Sequence, residues 1–565
     1  MHPLLKYCSG EKGLLLGNEA VVRGLLEAGC GVAAAYPGTP SSEIGNNLFF
    51  IAQEEDSPIY FEFSTNEKVA MEVAAAAAAS GVRSFTCMKH VGMNVASDVM
   101  MTLAYIGVKG GMVIFVADDP SMHSSQNEQD SRIFARFANL PMLEPSSPQE
   151  MKDMTIEAFE ISEALELPVI VRSTTRTSHV SGPVIMGDRC QDVKRRGRFQ
   201  KELFRWVPVP AVARQRHKWL LEQVDRAEDM AVSSGFNRVE GNGPRAILCS
   251  GVSVSHVRDA VNDLGVHDRV RLVVMGFPLP FPKRFVMDAL EGVEKVLVVE
   301  ELEPVMEEQL RLMLDDAEMD LPVFGKASGD LPRLYEFQPT DVARVVAKFT
   351  DEDFSEPVLP DLSGMPDLPM RPPTMCKGCP HRETYNNVKE ALKQLGIEEN
   401  TIYPSDIGCY TLALLPPIKM ADYLTCMGSS VGTSAGFSAA TDQKVVSFIG
   451  DSTFFHSGLS PLASAVHNKH NFCLVILDNS TTAMTGQQPH PGIWLKPPGF
   501  DKPTISIEDV VKAMGVKNFV RINPYKKQEA VAALKEILSM DGVCVVLSEA
   551  PCVLYKKRVS GGRKK

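Results

Sequence analysis

Clustered cysteines are what this chain most lacks. Its twelve cysteines stand singly apart from the pair in Cys376-Lys377-Gly378-Cys379. A disulfide framework of the kind that staples small secreted domains is therefore not expected, and most of the thiols should be buried in a reducing compartment. Long apolar runs are missing too. The most apolar stretch, residues 69–79, is interrupted by Glu72 and is too short to span a bilayer, and residues 1–13 carry no apolar signal core; neither membrane insertion nor export is expected. Positive charge is in deficit. With 58 Lys and Arg against 70 Asp and Glu the formal charge is −12, and the pI is about 5.6, which speaks against nucleic acid as a main partner. These absences fit an acidic cytoplasmic enzyme.

What is present is a globular composition, 44% hydrophobic with a mean hydropathy of −0.05. At 565 residues the chain exceeds what one core can serve, and about three or four domains are expected. Residues 13–184 alternate apolar runs (GVAAAY, SFTCMK, MVIFVA) with stretches of helical period, which reads as a doubly wound α/β domain. Residues 186–243 are charged and helix-prone and read as a connector; their basic cluster Lys194-Arg195-Arg196-Gly197-Arg198 suits a solvated face or a subunit contact. The strand-helix rhythm resumes over 244–350. Residues 351–374 turn acidic and then proline-rich, which rules out a helix or central strand and marks an extended linker. The expected fold is a multi-domain α/β arrangement of doubly wound parallel sheets, divided as 1–185, 186–243, 244–350, 351–374, 375–555 and a basic tail, 556–565.

The most informative stretch is 445–492. An apolar β-branched run breaks at Gly450-Asp451-Ser452, passes through a helical period (Leu459, Leu462, Ala463, Val466) and returns to a second apolar run at Phe472. In a parallel sheet both strand ends open on one edge, so Asp451 and Asn479 can converge there on a hard cation, magnesium or calcium. Helix caps or Asx turns would explain the same pair without a metal. Magnesium keeps few protein oxygens and fills its remaining positions with water or phosphate, so a phosphorylated cofactor is implied. The glycine- and serine-rich loops at Asp406 and at Cys426-Met427-Gly428-Ser429-Ser430 precede helices, where backbone amides can cradle a diphosphate.

In the first domain the polar residues also gather after strands. Tyr36-Pro37-Gly38-Thr39-Pro40-Ser41-Ser42-Glu43 is a stiff turn in which Ser41 or Ser42 can cap the next helix. Glu67 opens an alanine-rich helix, where the macrodipole alone would favour it. The loops 88–94 and 118–132 are dense in Lys, His, Asp, Gln and Arg, which in such loops are usually solvated surface groups. Phe454-Phe455 suits the core or an aromatic substrate pocket. Cys376-Lys377-Gly378-Cys379 lacks a second nearby cysteine pair, and Cys409 and Cys426 stand alone, so a metal site there is not expected.

Asp451 to Asn479 resembles the thiamine diphosphate motif, with Ser452 in place of a glycine and Asp478 in place of an asparagine. The longer strings GDSTFFHSG and DNSTTAMTGQQPHPG, with YPGTPSSE, FEFSTNEKVAMEVA and CKGCPHR, resemble the large, thiamine-diphosphate-binding subunit of indolepyruvate:ferredoxin oxidoreductases over about residues 10–557. The resemblance implies pyrimidine-binding (1–185), transketolase-C-like (244–350) and diphosphate-binding (375–555) domains. It implies thiamine diphosphate and Mg2+, the metal held by Asp451, Asn479 and the Thr481 carbonyl. Glu67 is implied as the contact to the aminopyrimidine, Thr39 as the contact to the substrate carboxylate, and His381 as facing substrate or cofactor. Pro37, Gly38, Asn94, Cys379, Gly428, Ser429, Ser430, Gly450, Ser452 and Met484 are implied to touch the cofactor, and the loops 88–94 and 118–132 are implied to line the substrate pocket, without assigned roles.

The family's ferredoxin-like module, which follows the PCVLYKKR segment, is not in this sequence, so no iron-sulfur cluster is expected on the chain. A separate iron-sulfur subunit is implied, beside a smaller catalytic subunit, with a dimer of this chain inside a hetero-oligomer. The implied reaction is oxidative decarboxylation of a 2-oxoacid, aryl by resemblance, to acyl-coenzyme A. A non-oxidative decarboxylase or acyloin-forming lyase, and a non-catalytic scaffold, are the other readings.

Overall fold

The computed structural model describes residues 1–356, 364–366, 369, 372–497 and 499–560. Much of the stretch read as linker, including Pro357 and Pro360, and residues 561–565 of the basic tail lie outside the described residues. The chain forms two compact units, Met1–Asp361 and Leu362–Lys565. Among the described residues no helix is long and apolar enough to cross a membrane.

The first unit contains two large sheets. Strand β1 (Lys12–Leu16) is followed by six parallel strands, β2 (Val32–Ala35), β3 (Tyr60–Phe63), β4 (Ser84–Lys89), β5 (Met112–Asp118), β6 (Met142–Leu143) and β7 (Val169–Thr174), in the order β3-β2-β4-β5-β7-β6. Strand β8 (Ser181–Ile185) returns to pair antiparallel with β1. Strands β4, β5 and β7 are buried at every residue, because helices cover both faces; β5 is accordingly apolar up to its last residue, Asp118, while β4 and β7 bury polar side chains as well. The second sheet holds β9 (Asn237–Glu240), β10 (Arg245–Cys249), β11 (Val270–Met275), β12 (Lys295–Val299) and β13 (Val323–Phe324) in the order β13-β12-β10-β11-β9. Only β9 runs antiparallel. It lies within 186–243, after the helix Pro210–Ser233.

A buried ion network ties the two sheets together. Arg132 Nη2 donates to Asp130 (2.6 Å) and to the carbonyls of Glu301 (2.7 Å) and Glu303 (2.9 Å), while its Nη1 donates to Glu300 (2.6 Å). Arg172 on β7 bonds Asp118 at the end of β5 (2.7 Å) and also Glu144. Burial alone would raise the Asp130 carboxyl, but Arg132 and Arg172 outweigh it and hold it at about 2. The reading of 118–132 as a pocket lining is thus corrected for Asp118, Asp130 and Arg132. These side chains are 0–6% exposed and serve to join the sheets; a polar residue after a strand is equally suited to pair inward with a buried partner.

The second unit has one five-stranded parallel sheet, β14 (Thr401–Ile402), β15 (Lys444–Gly450), β16 (Phe472–Asp478), β17 (Asn518–Ile522) and β18 (Val543–Glu549), ordered β14-β15-β16-β18-β17. The helices Pro380–Leu395 and Lys527–Leu538 bury Tyr385, Leu392 and Leu534 with Phe448 and Val475 in one core. Ser429–Ala440 and Leu459–His467 bury Val431 and Leu462 with Ile449 and Leu474 in another. Phe454 and Phe455 belong to this second core. Strands β15 and β16 are neighbours, so their C-terminal ends open on one edge. Lys556, Lys557 and Arg558, read as part of a tail, lie on the helix Val553–Ser560.

Replacing Arg132 by Met leaves Asp130 and Glu300 buried without their cation. A loss of about 3–5 kcal/mol of stability is expected, measured by chemical denaturation at pH 7. The share due to Asp130 is present above its ordinary pKa near 3.9 and disappears as pH falls through about 2, so the wild-type advantage should persist at pH 5.

Candidate functional site

In the first unit, four loops meet at the C-terminal ends of β2, β3, β4 and β5. The turn after β2 folds on itself, with the amide and hydroxyl of Ser41 both donating to the Gly38 carbonyl (2.9 and 2.8 Å). Ser41 occupies the N-cap position of the helix Ser42–Ile51 but makes no side-chain cap bond, so its expected capping role goes to closing the turn instead. Thr39 Oγ1 lies 3.3 Å from Ser42 Oγ. Pro37 and Gly38 are buried.

Glu67 is 5% exposed at the start of the helix Glu67–Ala79, which Asn66 caps through the Val69 amide (2.9 Å). Gly92 leaves room for it: a Cβ there would come within 2.7 Å of Glu67 Oε1. Lys89 ends β4, and its Nζ donates to the Ser124 carbonyl (3.0 Å). Burial lowers its pKa to about 8, against the opposing pull of Asp119 and Glu67. His90 Nε2 bonds the Asn127 carbonyl (3.1 Å). Asp119 ties the loop down through Ser124, Ser125 and Thr175. Asn94 is exposed on the helix His90–Ile106.

In the second unit, Asp451 and Asn479 meet as the strand-helix-strand pattern implied. The Asn479 amide donates to Asp451 Oδ2 (3.1 Å), the Ser452 amide to Asp451 Oδ1 (2.8 Å), and His490 Nε2 lies 3.0 Å from Oδ2. Burial pushes the Asp451 carboxyl up, but His490, the Ser452 amide and His381 outweigh it and hold the group below its ordinary value. Asp478, the last residue of β16, is driven well above its ordinary value by burial and by the Asp451 charge. Trp494 Nε1 donates to it (2.9 Å).

His381 completes the group. Its Nε2 accepts from Asn479 Nδ2 (2.8 Å), and burial lowers its pKa to about 4, so the ring is neutral at pH 7. Asn479 Oδ1 takes the Thr481 amide (3.1 Å). Ser452 Oγ accepts from Thr482 Oγ1 (2.9 Å), and Met484 is exposed.

The donor chemistry fits magnesium. Among the described residues no three His, Cys, Asp or Glu side chains converge as a metal-holding group. The cation would instead take hard oxygens from one carboxylate, one carboxamide and the main chain, leaving positions for water and phosphate. Asp451 and Asp478, two carboxyl groups buried against each other, are a place where added positive charge is favourable.

The glycine-rich loop behaves differently from its expected use as an amide cradle. Asp406 takes the amides of Gly428 (2.7 Å), Ser430 (2.9 Å) and Ile407 (2.9 Å), and the Ser429 amide goes to the Cys426 carbonyl (3.1 Å). Burial lifts the Asp406 carboxyl to about 6. A helix N-terminus stabilises any anion, and here it has one from its own chain. Gly428 is required for shape: at φ +88° its Cβ would lie 2.3 Å from Ser457 Cβ. Gly450 likewise admits Tyr410, whose Cε1 would be 2.7 Å from a Cβ.

The cysteines are not isolated. Cys379 precedes the helix Pro380–Leu395, Cys409 opens the turn Cys409–Leu414, and Cys552 follows β18, its amide donating to the Asn479 carbonyl (3.0 Å). The Cys409 thiol is pushed up to about 12, first by burial and then by Cys379, Cys552 and Cys376 nearby. Burial raises the Cys379 thiol, with Cys376 and Cys552 adding to it. Spacing could not show this grouping, because three segments separated by long stretches of sequence meet only through the sheet topology.

A family model described as pyruvate flavodoxin/ferredoxin oxidoreductase, thiamine diP-binding, matches residues 23–224. One described as thiamine pyrophosphate enzyme, C-terminal TPP binding domain, matches residues 406–547. The indolepyruvate oxidoreductase subunit IorA of Methanothermobacter thermautotrophicus is 49% identical over 99% of this chain and 90% of its own length. That of Pyrococcus horikoshii is 44% identical over 97% of this chain and 86% of its own. The solved 2-oxoglutarate:ferredoxin oxidoreductase from Magnetococcus marinus has a TM-score of 0.48 at 15% identity, covering 60% of this chain and 65% of that one. With relatives this similar along nearly the whole chain, and with thiamine-binding models matched in both units, the chain belongs to the indolepyruvate oxidoreductase IorA family of thiamine-diphosphate-dependent 2-oxoacid oxidoreductases.

Proposed function

We propose that this chain holds thiamine diphosphate and Mg2+ for the coenzyme-A-dependent oxidative decarboxylation of an arylpyruvate, indolepyruvate being the substrate named for its relatives. The observation that carries the reading is the Asn479 amide bonded to the buried Asp451 carboxylate at the shared end of β15 and β16. Asp451, Asn479 Oδ1 and the Thr481 carbonyl hold the metal. Ser452 and Gly450 shape the loop beneath it, and Gly428, Ser429 and Ser430 define a wall rather than supply amides. Thiamine diphosphate, when bound, supplies the nucleophilic carbon and the electron sink that loss of CO2 from a 2-oxoacid requires. Glu67 holds a proton on the aminopyrimidine, and Thr39 orients the substrate carboxylate. His381, neutral and fixed by Asn479, offers a hydrogen bond without adding charge.

On this reading 1–185 binds the pyrimidine, 244–350 is a transketolase-C-like domain and 375–555 binds the diphosphate. A smaller catalytic subunit and an iron-sulfur subunit complete a cytoplasmic hetero-oligomer containing a dimer of this chain. The oxidoreductase relatives favour this over a non-oxidative lyase or a scaffold.

A further reading revises the expectation that this chain carries no cluster. The thiols of Cys376, Cys379, Cys409 and Cys552 influence one another's charge, and the Cys552 amide bonds the Asn479 carbonyl; they are not drawn together as a metal-holding group among the described residues, but they are the donor type of a cubane cluster or a structural zinc. A cluster held by these thiols would supply one-electron acceptance on this chain.

The complex purified from its host should reduce viologen with indolepyruvate or phenylpyruvate only when coenzyme A is present; aldehyde release without dye reduction would instead identify a non-oxidative enzyme. Asp451→Ala should abolish thiamine diphosphate binding, read by calorimetry. Glu67→Gln should keep binding but lower kcat at least about a hundredfold. Metal analysis of the chain anaerobically expressed alone should find iron or zinc that Cys409→Ala with Cys552→Ala removes; equal metal content in both would refute the four-thiol site.

A further inference from the structure

Among the described residues of the first unit, most of the buried cations are answered by a carboxylate. Arg23 pairs with Glu27 (2.6 Å), Lys152 with Glu27 (2.8 Å), Arg132 with Asp130 and Glu300 (2.6 Å each), and Arg172 with Asp118 (2.7 Å). Lys89 is 9% exposed, yet among the described residues its Nζ has one hydrogen bond, to the neutral carbonyl of Ser124 (3.0 Å), and no ion pair. An ammonium has three protons to donate, and leaving it buried without an anion is costly.

Its placement is specific. The side chain lies across Gly38: a Cβ on that glycine would sit 3.5–3.7 Å from Lys89 Cγ, Cδ and Cβ. Ser124, whose carbonyl holds Nζ, donates its own hydroxyl to the Thr39 carbonyl (3.2 Å). The ammonium is thereby fastened to the turn that carries Thr39. The charged and titratable groups around it are Asp119 after β5, Glu67 at the start of the helix between β3 and β4, and His90 next in sequence. Asp119 is already engaged by Ser124, Ser125 and Thr175.

We propose that Lys89 is the cation that binds the carboxylate of the 2-oxoacid, its Nζ supplying the charge beside the Thr39 hydroxyl. The proposal rests on the reading of the Thr39 turn as the substrate site. An amine in this range is largely protonated at pH 7 and ready to pair. It also selects against uncharged carbonyl compounds, because an ester or aldehyde would leave the ammonium unanswered.

The test uses the purified complex with thiamine diphosphate bound. Phenyllactate and its methyl ester serve as unreactive competitors against phenylpyruvate turnover. Wild type should prefer the acid strongly. In Lys89→Met that preference should fall about thirtyfold or more and the KM for phenylpyruvate should rise, while Lys89→Arg keeps both near wild type and cofactor occupancy is unchanged. If Thr39→Ala raises KM but Lys89→Met retains the acid preference, Lys89 is not the anchor. If neither variant alters either quantity, the Thr39 turn is not the substrate site and both readings fall. A measurement on wild type alone covers a variant that does not assemble. Affinity for the acid, but not the ester, should decline about tenfold per pH unit above roughly 8 as the amine loses its proton; parallel profiles for acid and ester would overturn the proposal.

Discussion

The second unit depends on keeping one carboxylate ionised inside a protein. Asp451 is 3% exposed, and an unanswered charge at such a position would cost several kcal/mol. The fold answers it with the Ser452 and Asn479 amides and with the ring of His490. Two of these donors exist only because β15 and β16 are adjacent and parallel, so that the chain leaving one strand reaches the end of the other. The same adjacency places Asp478 against Asp451 and drives its carboxyl upward. A second carboxyl held beside an ionised Asp451 is a place where added positive charge is favourable, and the carboxamide of Asn479 is oriented beside it by His381.

The first unit treats buried charge in two ways. Where its two sheets meet, Arg132 and Arg172 are matched against Asp118, Asp130, Glu144 and Glu300, and the outcome is a rigid joint. At the ends of β2 to β5 the balance is left open: among the described residues Lys89 has no ion pair, its Nζ bonds the Ser124 carbonyl, and Asp119 and Glu67 act on it only at longer range. Complete pairing fixes structure, whereas incomplete pairing reserves interaction energy for a ligand.

The parallel strands were legible because strands covered on both faces appear as unbroken apolar runs: MVIFVA became β5 and FCLVILD became β16. The meeting of Asp451 with Asn479 followed from one rule about parallel strand ends. Inward or outward direction was not legible. Asp118, Asp130 and Arg132 sit in the same fifteen residues as Ser124 and Asn127, yet the first three seal an interface between sheets while the others border the turn at Thr39. Asp406 was read as part of a glycine-rich anion loop, but its own carboxylate fills that loop. Cys409, solitary in sequence, feels the charge of Cys376, Cys379 and Cys552.

The sequence by itself determined the order and kind of elements, the parallel sheets and the positions at which polar residues interrupt them, since local periodicity and turn chemistry act over a few residues. Its motifs also carried the family. Tertiary structure alone decided which of those polar residues are spent on one another and which stay available. Satisfaction of a buried hydrogen bond or charge depends on groups brought together from about a hundred residues apart or more, as Arg132 with Glu300 and Asn479 with His381 show, and no local pattern encodes that pairing.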